Sequence, residues 1–531
     1  QKININDVKI NYSGNGTSTY GKWLFHTDGH NNYGDSTWVL NNGTTVNMNG
    51  SKLVMYTSQY HTHNWGNPDD TYNIGFQNGG NITTSANGSD NYIWLALAAD
   101  GGFHRVMWFD NPGNITLNGD GDTFAVIGSE YDTNGGFSIT NAGNLILNGT
   151  NEKGIVVNDK QLNTHQTANS GYPGAEIILT TPMQINGTKS VGVAFKTFAD
   201  LDGGTAFSAG ADASTNANVK ATSILAMPTS TRESVFKINL AGSENTGLYF
   251  NHANASTNPF KVSNYTLNST NGTSNALVYV EKGYVDLAAQ SKASTDNTIN
   301  ITGGSKNIGI YTKGDALNTG AKITITNSDG STGIFAENSG TVTNTGKISA
   351  TGAAVKAMVA NNSTITSSSQ IDVTGTASSA TDGSIGLVAT NGGTITHTGG
   401  GTITVDGGAS AGAFGGSSGT VNITGGTIKT TGGAFNAVAS GGTVKLNGTA
   451  IDTGQKSLAF FTENNGHINF TGPTTANIAG GTDANTRGTA FYYVGSGYSP
   501  FTASDITSWA TNTFGGTINA LTLNMASGSR L

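Results

Sequence analysis

The side chains able to do chemistry crowd the start of this 531-residue chain. Five of its six tryptophans (Trp23, Trp38, Trp65, Trp94, Trp108) and five of its nine histidines (His26, His30, His61, His63, His104) lie in the first 110 residues. In Tyr60–Trp65, read YHTHNW, His61 and His63 stand two apart, which on a strand turns both rings to one side, as a metal site requires. Asp69 and Asp70 follow, but no third ligand has diagnostic spacing, so two solvated imidazoles and no metal are expected. Asn118–Phe124, NGDGDTF, has the beginnings of a calcium loop. It lacks the Gly and the twelfth-position Glu of an EF-hand and the tandem copies of an RTX-type site, and reads as a Gly-rich turn between strands.

The densest carboxylates are Asp120, Asp122, Glu130 and Asp132. They are where an acid and base for polysaccharide cleavage would be sought, but no Arg or Lys accompanies them in sequence to steady an anionic intermediate. No GxSxG, Cys/His pair, phosphate loop or dinucleotide fingerprint is present, so catalysis is not expected and no cofactor is called for. Thr19–Trp38, TYGKWLFHTDGHNNYGDSTW, packs Tyr, Trp, Phe, His and Asp together. Sugar-binding faces and interface hot spots both combine aromatic platforms with hydrogen-bonding neighbours. Trp23, His26, Trp38, Trp65, Trp94 and Trp108 are therefore the candidate ligand-binding residues. The plainer expectation is that the same rings form the buried core of a cap.

Composition narrows what must position these residues. Charged residues make up 11% of the chain, against roughly 25% in ordinary globular proteins, and the net charge is −8. With 76 glycines, 8 prolines and 35% hydrophobic residues, the chain has the apolar content that disordered chains lack. It has no cysteine, no apolar run near the ~20 residues of a membrane span, and no signal-peptide-like start. Beginning at Gln rather than Met, it reads as a mature or trimmed exported product. The acidic balance and the absence of any Lys/Arg cluster speak against nucleic acid as a partner.

A repeat supplies the scaffold. A small residue followed by two apolar ones recurs at Gly309–Tyr311, Gly333–Phe335, Ala357–Val359, Gly386–Val388, Gly412–Phe414, Asn436–Val438, Leu458–Phe460 and Ala490–Tyr492. Successive starts are 22 to 32 residues apart, a loosely held period typical of a solenoid. Each period holds two more alternating stretches. One series centres on Leu317, Val342, Ile365, Ile395, Val421, Val444 and Ile468, the other on Ile323, Ile348, Ile371, Ile403, Ile428, Ile451 and Ile478. Strands this short bury an inner face only if the next coil stacks on them. The fold expected is all-β: a right-handed parallel β-helix with three short strands per coil of about 24 residues, Val, Ile, Leu and Phe inward, Thr, Asn, Lys and Ser outward, and Gly or Asn at the corners. At about 4.8 Å per coil the stack is a filament on the order of 100 Å long.

Four regions are expected. Residues 1–110 form an aromatic-rich cap and binding region, 111–302 irregular coils, and 303–497 regular coils. In 498–531 an insertion, with a short helix starting at Thr502 and Asp505, precedes a resumed coil that looks cut short. Gly154–Val157, Val191–Phe195, Gly247–Tyr249 and Ala276–Val278 are the less regular copies that extend the solenoid back towards residue 110.

The coils of Asn307–Gly352, NIGIYTKGDALNTGAKITITNSDGSTGIFAENSGTVTNTGKISATG, resemble the passenger domains of type V secretion autotransporters, most closely the very large fusobacterial adhesins of the RadD type. The likeness is one of repeat style over about residues 300–495. It implies export, display on the bacterial cell surface through an outer-membrane barrel that this sequence lacks, and adhesion to other bacteria or host cells through a protein or glycan. It carries over no individual binding residue. A polysaccharide lyase or depolymerase, and a non-binding stalk or toxin subunit, are the alternatives. Deleting residues 1–110 is expected to abolish cell binding while the remaining coils stay folded; unchanged attachment of the shortened chain would remove that region from consideration.

Overall fold

A computed structural model describes residues 2–16, 23–28, 36–60, 72–98, 105–129, 136–158, 175–196, 235–251, 256, 259–262, 264–288, 297–376, 383–494 and 520–531. The chain divides into two compact units, Gln1–Asn297 and Thr298–Leu531. Every paired strand in both is parallel, and each strand pairs with its counterpart one coil later, which is the topology of a parallel β-helix.

In the second unit the hydrophobic series foreseen from sequence become columns in register. Leu317, Val342, Ile365, Ile395, Val421, Val444 and Ile468 lie opposite one another from strand Ala316–Thr319 to strand His467–Phe470. Ile299, Ile323, Ile348, Ile371, Ile403, Ile428 and Ile451 form a second column, all at most 1% exposed. In the last pairing Ala476, not Ile478, faces Ile451. Ladder partners in this unit are 23 to 32 residues apart, as Thr341 with Thr364 and Ile371 with Ile403, and 47 apart at the last pairing, Ile478 with Met525. The coil sequence resumes near the end as expected, with strand Leu521–Met525 pairing to Thr474–Ile478.

The third sheet of this unit departs from the expected inward-outward division. Ile310, Ile334, Met358, Leu387, Ala413, Ala437 and Phe460 face inward in register, and the neighbouring Tyr311, Phe335, Val359, Val388, Phe414, Val438 and Phe461 form an outward row. Adjacent residues on a regular strand point to opposite faces, so the two apolar residues that follow the small one in each repeat divide between the interior and the outer face. The same registry places the seventh repeat at Ala459–Phe461, one residue later than its sequence placement, because Phe460 pairs with Ala437. The outer rings pack on each other along the stack, as Phe461 and Tyr492 do at 5.6 Å and 7°.

The first unit is built the same way from its first residues onward. Lys2–Ile5 pairs with Ser36–Leu40, which pairs with Tyr72–Asn78, then Arg105–Asn111, Gly136–Asn141 and Ala175–Leu179. Its coils are longer: ladder partners are 36, 33, 30 and 38 residues apart. The added length lies between each third-sheet strand and the next first-sheet strand, at 29–35, 61–71, 99–104, 130–135 and 159–174. The interior is aromatic, with Phe25, Tyr56, Phe76, Trp94, Phe109 and Phe124 all buried. Phe76 is 4.9 Å from Tyr56 and stacked 5.2 Å from Phe109, whose other neighbours are Trp94 and Phe124.

Corners repeat as strictly as strands. The turn into the third sheet puts one residue in the left-handed region, with Asp90, Asn151, Lys189, Glu244 and Lys306 all at φ 54–56°. This conformation is uncommon outside glycine, and the coil geometry imposes it. The next residue turns a buried polar side chain to the neighbouring coil, where it accepts a backbone N–H: Leu53 to Asn91 Oδ1 at 3.0 Å, Ser190 to Asn245 Oδ1 at 2.9 Å and Asn307 to Ser331 Oγ at 2.9 Å. These bonds replace strand pairing where the ladder breaks.

The column argument makes a quantitative prediction. Ile348→Ala opens a cavity in the middle of an inward column and is expected to cost about 2–5 kcal/mol, whereas Thr343→Ala on an exposed outer position stays within about 0.5 kcal/mol. Urea denaturation of the two variants checks this, and equal midpoints would contradict the assignment of faces.

Candidate functional site

The coil sorts the candidate aromatic residues by face. Trp94 is fully buried, its indole N–H donating to Ser58 Oγ at 3.0 Å. Trp38 belongs to the inward row with Ile3, Phe76 and Phe109, donates to Thr27 Oγ1 at 3.1 Å, and lies 5.1 Å from the Phe25 ring. Trp94 is a core residue and Trp38 is half-buried at its edge, each with a hydrogen-bond partner for its indole N–H. Trp23 is 46% exposed and packs 5.1 Å from His26, whose Nδ1 lies 2.6 Å from Thr57 Oγ1. Trp65, His61, His63, Asp69, Asp70, Glu130, Asp132 and the helix foreseen at Thr502 lie outside the described residues.

Trp108 stands apart. On strand Arg105–Asn111 the buried Met107, Phe109 and Asn111 alternate with half-buried Trp108 and Asp110, which places the latter two on the outer face of the first sheet. Opposite Trp108 in register is Gly75 of strand Tyr72–Asn78. A Cβ on Gly75 would fall 1.8 Å from the indole Cε2 and 2.2 Å from Cζ2, so the ring lies down on bare backbone. One indole face rests on the glycine and the other is turned away from the sheet. Two residues further along the same strands, about 6.6 Å away, Gln77 Nε2 donates to Asp110 Oδ2 at 3.0 Å. Among the described residues, Trp108 Nε1, Gln77 Oε1 and Asp110 Oδ1 have no further hydrogen-bond partner. Ser138 and Thr140, both part-exposed, carry the two outward rows onto the next coil. Of the residues singled out from sequence, Trp108 is thus brought beside a polar pair on the outer face of the first sheet. Gln77 and Asp110 were missed because their only sequence signal is a 33-residue spacing that the varying coil length obscures.

The carboxylates divide similarly. Asp120 is exposed and accepts from Asn151 Nδ2 at 2.9 Å. Asp122 is buried at the corner, accepting from the backbone N–H of Asn91 at 2.9 Å and of Gly119 at 3.1 Å. Burial raises its pKa against these bonds. One coil on, in the same corner position, sits Glu152, also buried. Its Oε2 accepts from Gly149 N–H at 2.8 Å, while Oε1 has no partner among the described residues. Burial, opposed by the Gly149 bond and assisted by the charges of Asp122 and Asp120, pushes its carboxyl up to about 8. Asp122 and Glu152 are both fully buried. The Asn118–Phe124 segment forms this corner, with Asn118 N–H and Nδ2 bonded to Thr84. No group of three or more His, Cys, Asp or Glu is placed to hold a metal among the described residues.

The second unit carries an open groove of about 730 Å³ on its second sheet, where Lys429, Asp452, Asn477 and Asn524 follow one another coil by coil. Asn477 bonds Asp452 at 2.8 Å and Asn524 bonds Asn477 at 2.8 Å. Among the described lining residues Asp452 is the one carboxylate, whereas glycosidic cleavage by acid and base takes two.

Glu152 makes stability depend on pH. The folded chain keeps a proton that the unfolded chain releases above about 4.5, so stability is full below that value, falls as pH rises towards about 8, and is flat beyond. Glu152→Gln is expected to make this slope shallower, as measured by denaturation between pH 5 and 8; an identical slope in both proteins would refute the protonated corner. Comparison of the chain with protein-family profiles, curated proteins and solved structures finds no match in any of the three.

Proposed function

We propose that the chain is the passenger segment of a bacterial surface adhesin of the type V autotransporter kind, binding other bacteria or host cells. Three features support this reading. A stack of parallel coils presents long lateral faces, and the repeats of Asn307–Gly352 are in the style of such passengers. One outer face of the second unit is a row of Thr and Asn, namely Asn318, Thr343, Thr366, Thr396 and Asn422, which stays hydrated without carrying charge. The observation that carries the proposal is the outward indole of Trp108 lying on Gly75 beside the Gln77–Asp110 pair. A half-buried indole lying beside a polar pair is the combination of aromatic platform and hydrogen-bonding neighbours that binding faces use.

The partner is a protein or glycan on a second cell, and the reading requires no cofactor and no nucleic acid. Beads coated with the intact chain should attach saturably to bacterial or host cells. Attachment no greater than that of beads coated with an unrelated protein overturns the proposal.

A further inference from the structure

We infer that the outer face of the first sheet in the first unit is a saccharide subsite for a neutral pyranose, with Trp108 as its stacking platform and Gln77 and Asp110 as its hydrogen-bonding edge. The inference rests on the adhesion reading and names the ligand class of that surface.

The chemistry follows from what each group has left to offer. A pyranose presents C–H bonds on its faces and hydroxyls around its rim. An indole face complements the former, through burial and the attraction of C–H edges to the negative ring face. Trp108 has one such face to give, because Gly75 lets the ring lie flat where any side chain would lift it. The rim of a sugar stacked there reaches the Gln77–Asp110 pair two residues along. Gln77 Nε2 holds Asp110 Oδ2 at 3.0 Å, fixing the carboxylate before a ligand arrives. Asp110 Oδ1 and Gln77 Oε1 then face the ligand as acceptors for hydroxyl protons, the charged one making the stronger bond. Trp108 Nε1 is a donor for a ring or hydroxyl oxygen.

The same groups select against other ligands. A sialic or uronic acid would bring a carboxylate towards Asp110 on a chain of net charge −8. On the third sheet of the second unit, Phe461 and Tyr492 stack face to face at 7°, so each ring gives one face to the other, and Tyr492 is 55% exposed. Trp94 is committed to the core, and Trp38 is half-buried with its ring 5.1 Å from Phe25.

The test is a glycan array probed with the intact chain, with matched neutral and sialylated oligosaccharides, followed by calorimetric titration of the best neutral ligand. Neutral members should bind, and their sialylated counterparts about tenfold more weakly or worse. Trp108→Ala and Asp110→Asn should each weaken binding about tenfold or more, while Thr343→Ala leaves it unchanged. Asp110→Asn keeps shape and can still bond Gln77, so it reports on recognition if Trp108→Ala disturbs the sheet, and thermal melts of both variants establish that they fold. The subsite is ruled out if the wild-type chain binds no neutral glycan, or if both folded variants bind with wild-type affinity. Wild-type beads that still attach to periodate-treated cells, with Trp108→Ala beads attaching equally, eliminate the saccharide subsite and leave adhesion standing. Absence of wild-type attachment to any cell removes the adhesion reading itself.

Discussion

The constraint on which everything else depends is that no coil satisfies its own backbone. Each N–H and C=O of a short parallel strand finds its partner in the coil before or after, so register must be kept from coil to coil or hydrogen bonds are lost in every sheet at once. Keeping register aligns side chains into columns. This is why Ile299 through Ile451 fall in one line although up to 32 residues separate neighbours in that line. The same demand reaches the corners, where strand pairing stops and buried Asn, Ser, Asp and Glu side chains take over the bonding.

Stacking also explains how polar groups come to sit inside. A column position is filled in every coil, and a corner that must accept a backbone N–H tolerates any side chain with an oxygen at the right reach. Asn91, Asp122, Glu152, Ser190 and Asn245 share one position. Two of these are acids on adjacent coils, and burial there holds Glu152 in its protonated form at neutral pH. Asparagine does the equivalent on outer faces and at a buried first-sheet corner, where Asn78, Asn111 and Asn141 bond in series at 2.8 and 2.7 Å. His397, buried in the second unit, is another inward polar residue, and burial lowers its pKa.

A surface made by stacking joins residues that sequence keeps apart. Gly75 and Trp108, or Gln77 and Asp110, are neighbours only because two strands are one coil apart. Strand parity then decides what an aromatic residue is for. Met107, Trp108, Phe109 and Asp110 alternate in and out, so the same four residues contribute both to the core and to the proposed binding face.

Much of the fold was legible because period-2 alternation within strands and a period near 24 between them are written directly into Leu317, Val342, Ile365 and their successors, and only stacked coils reconcile both. Parity across the third sheet was less legible: Tyr311, Phe335 and Phe414 look like core residues until register places them outside. The aromatic-rich start was evident, but which rings face water was not. That depends on where each strand begins and on which residue lies opposite, and first-unit coil lengths that vary from 29 residues (Phe236 to Tyr265) to 55 (Met183 to Ile238) hide both. Sequence by itself therefore determined the solenoid, the short strands and the type of residue in each column. Tertiary structure alone decided that Trp94 is buried, that Trp108 lies on Gly75, and that Asp122 meets Glu152, because contacts between coils are set by register, and register is a property of the stack rather than of any one stretch of chain.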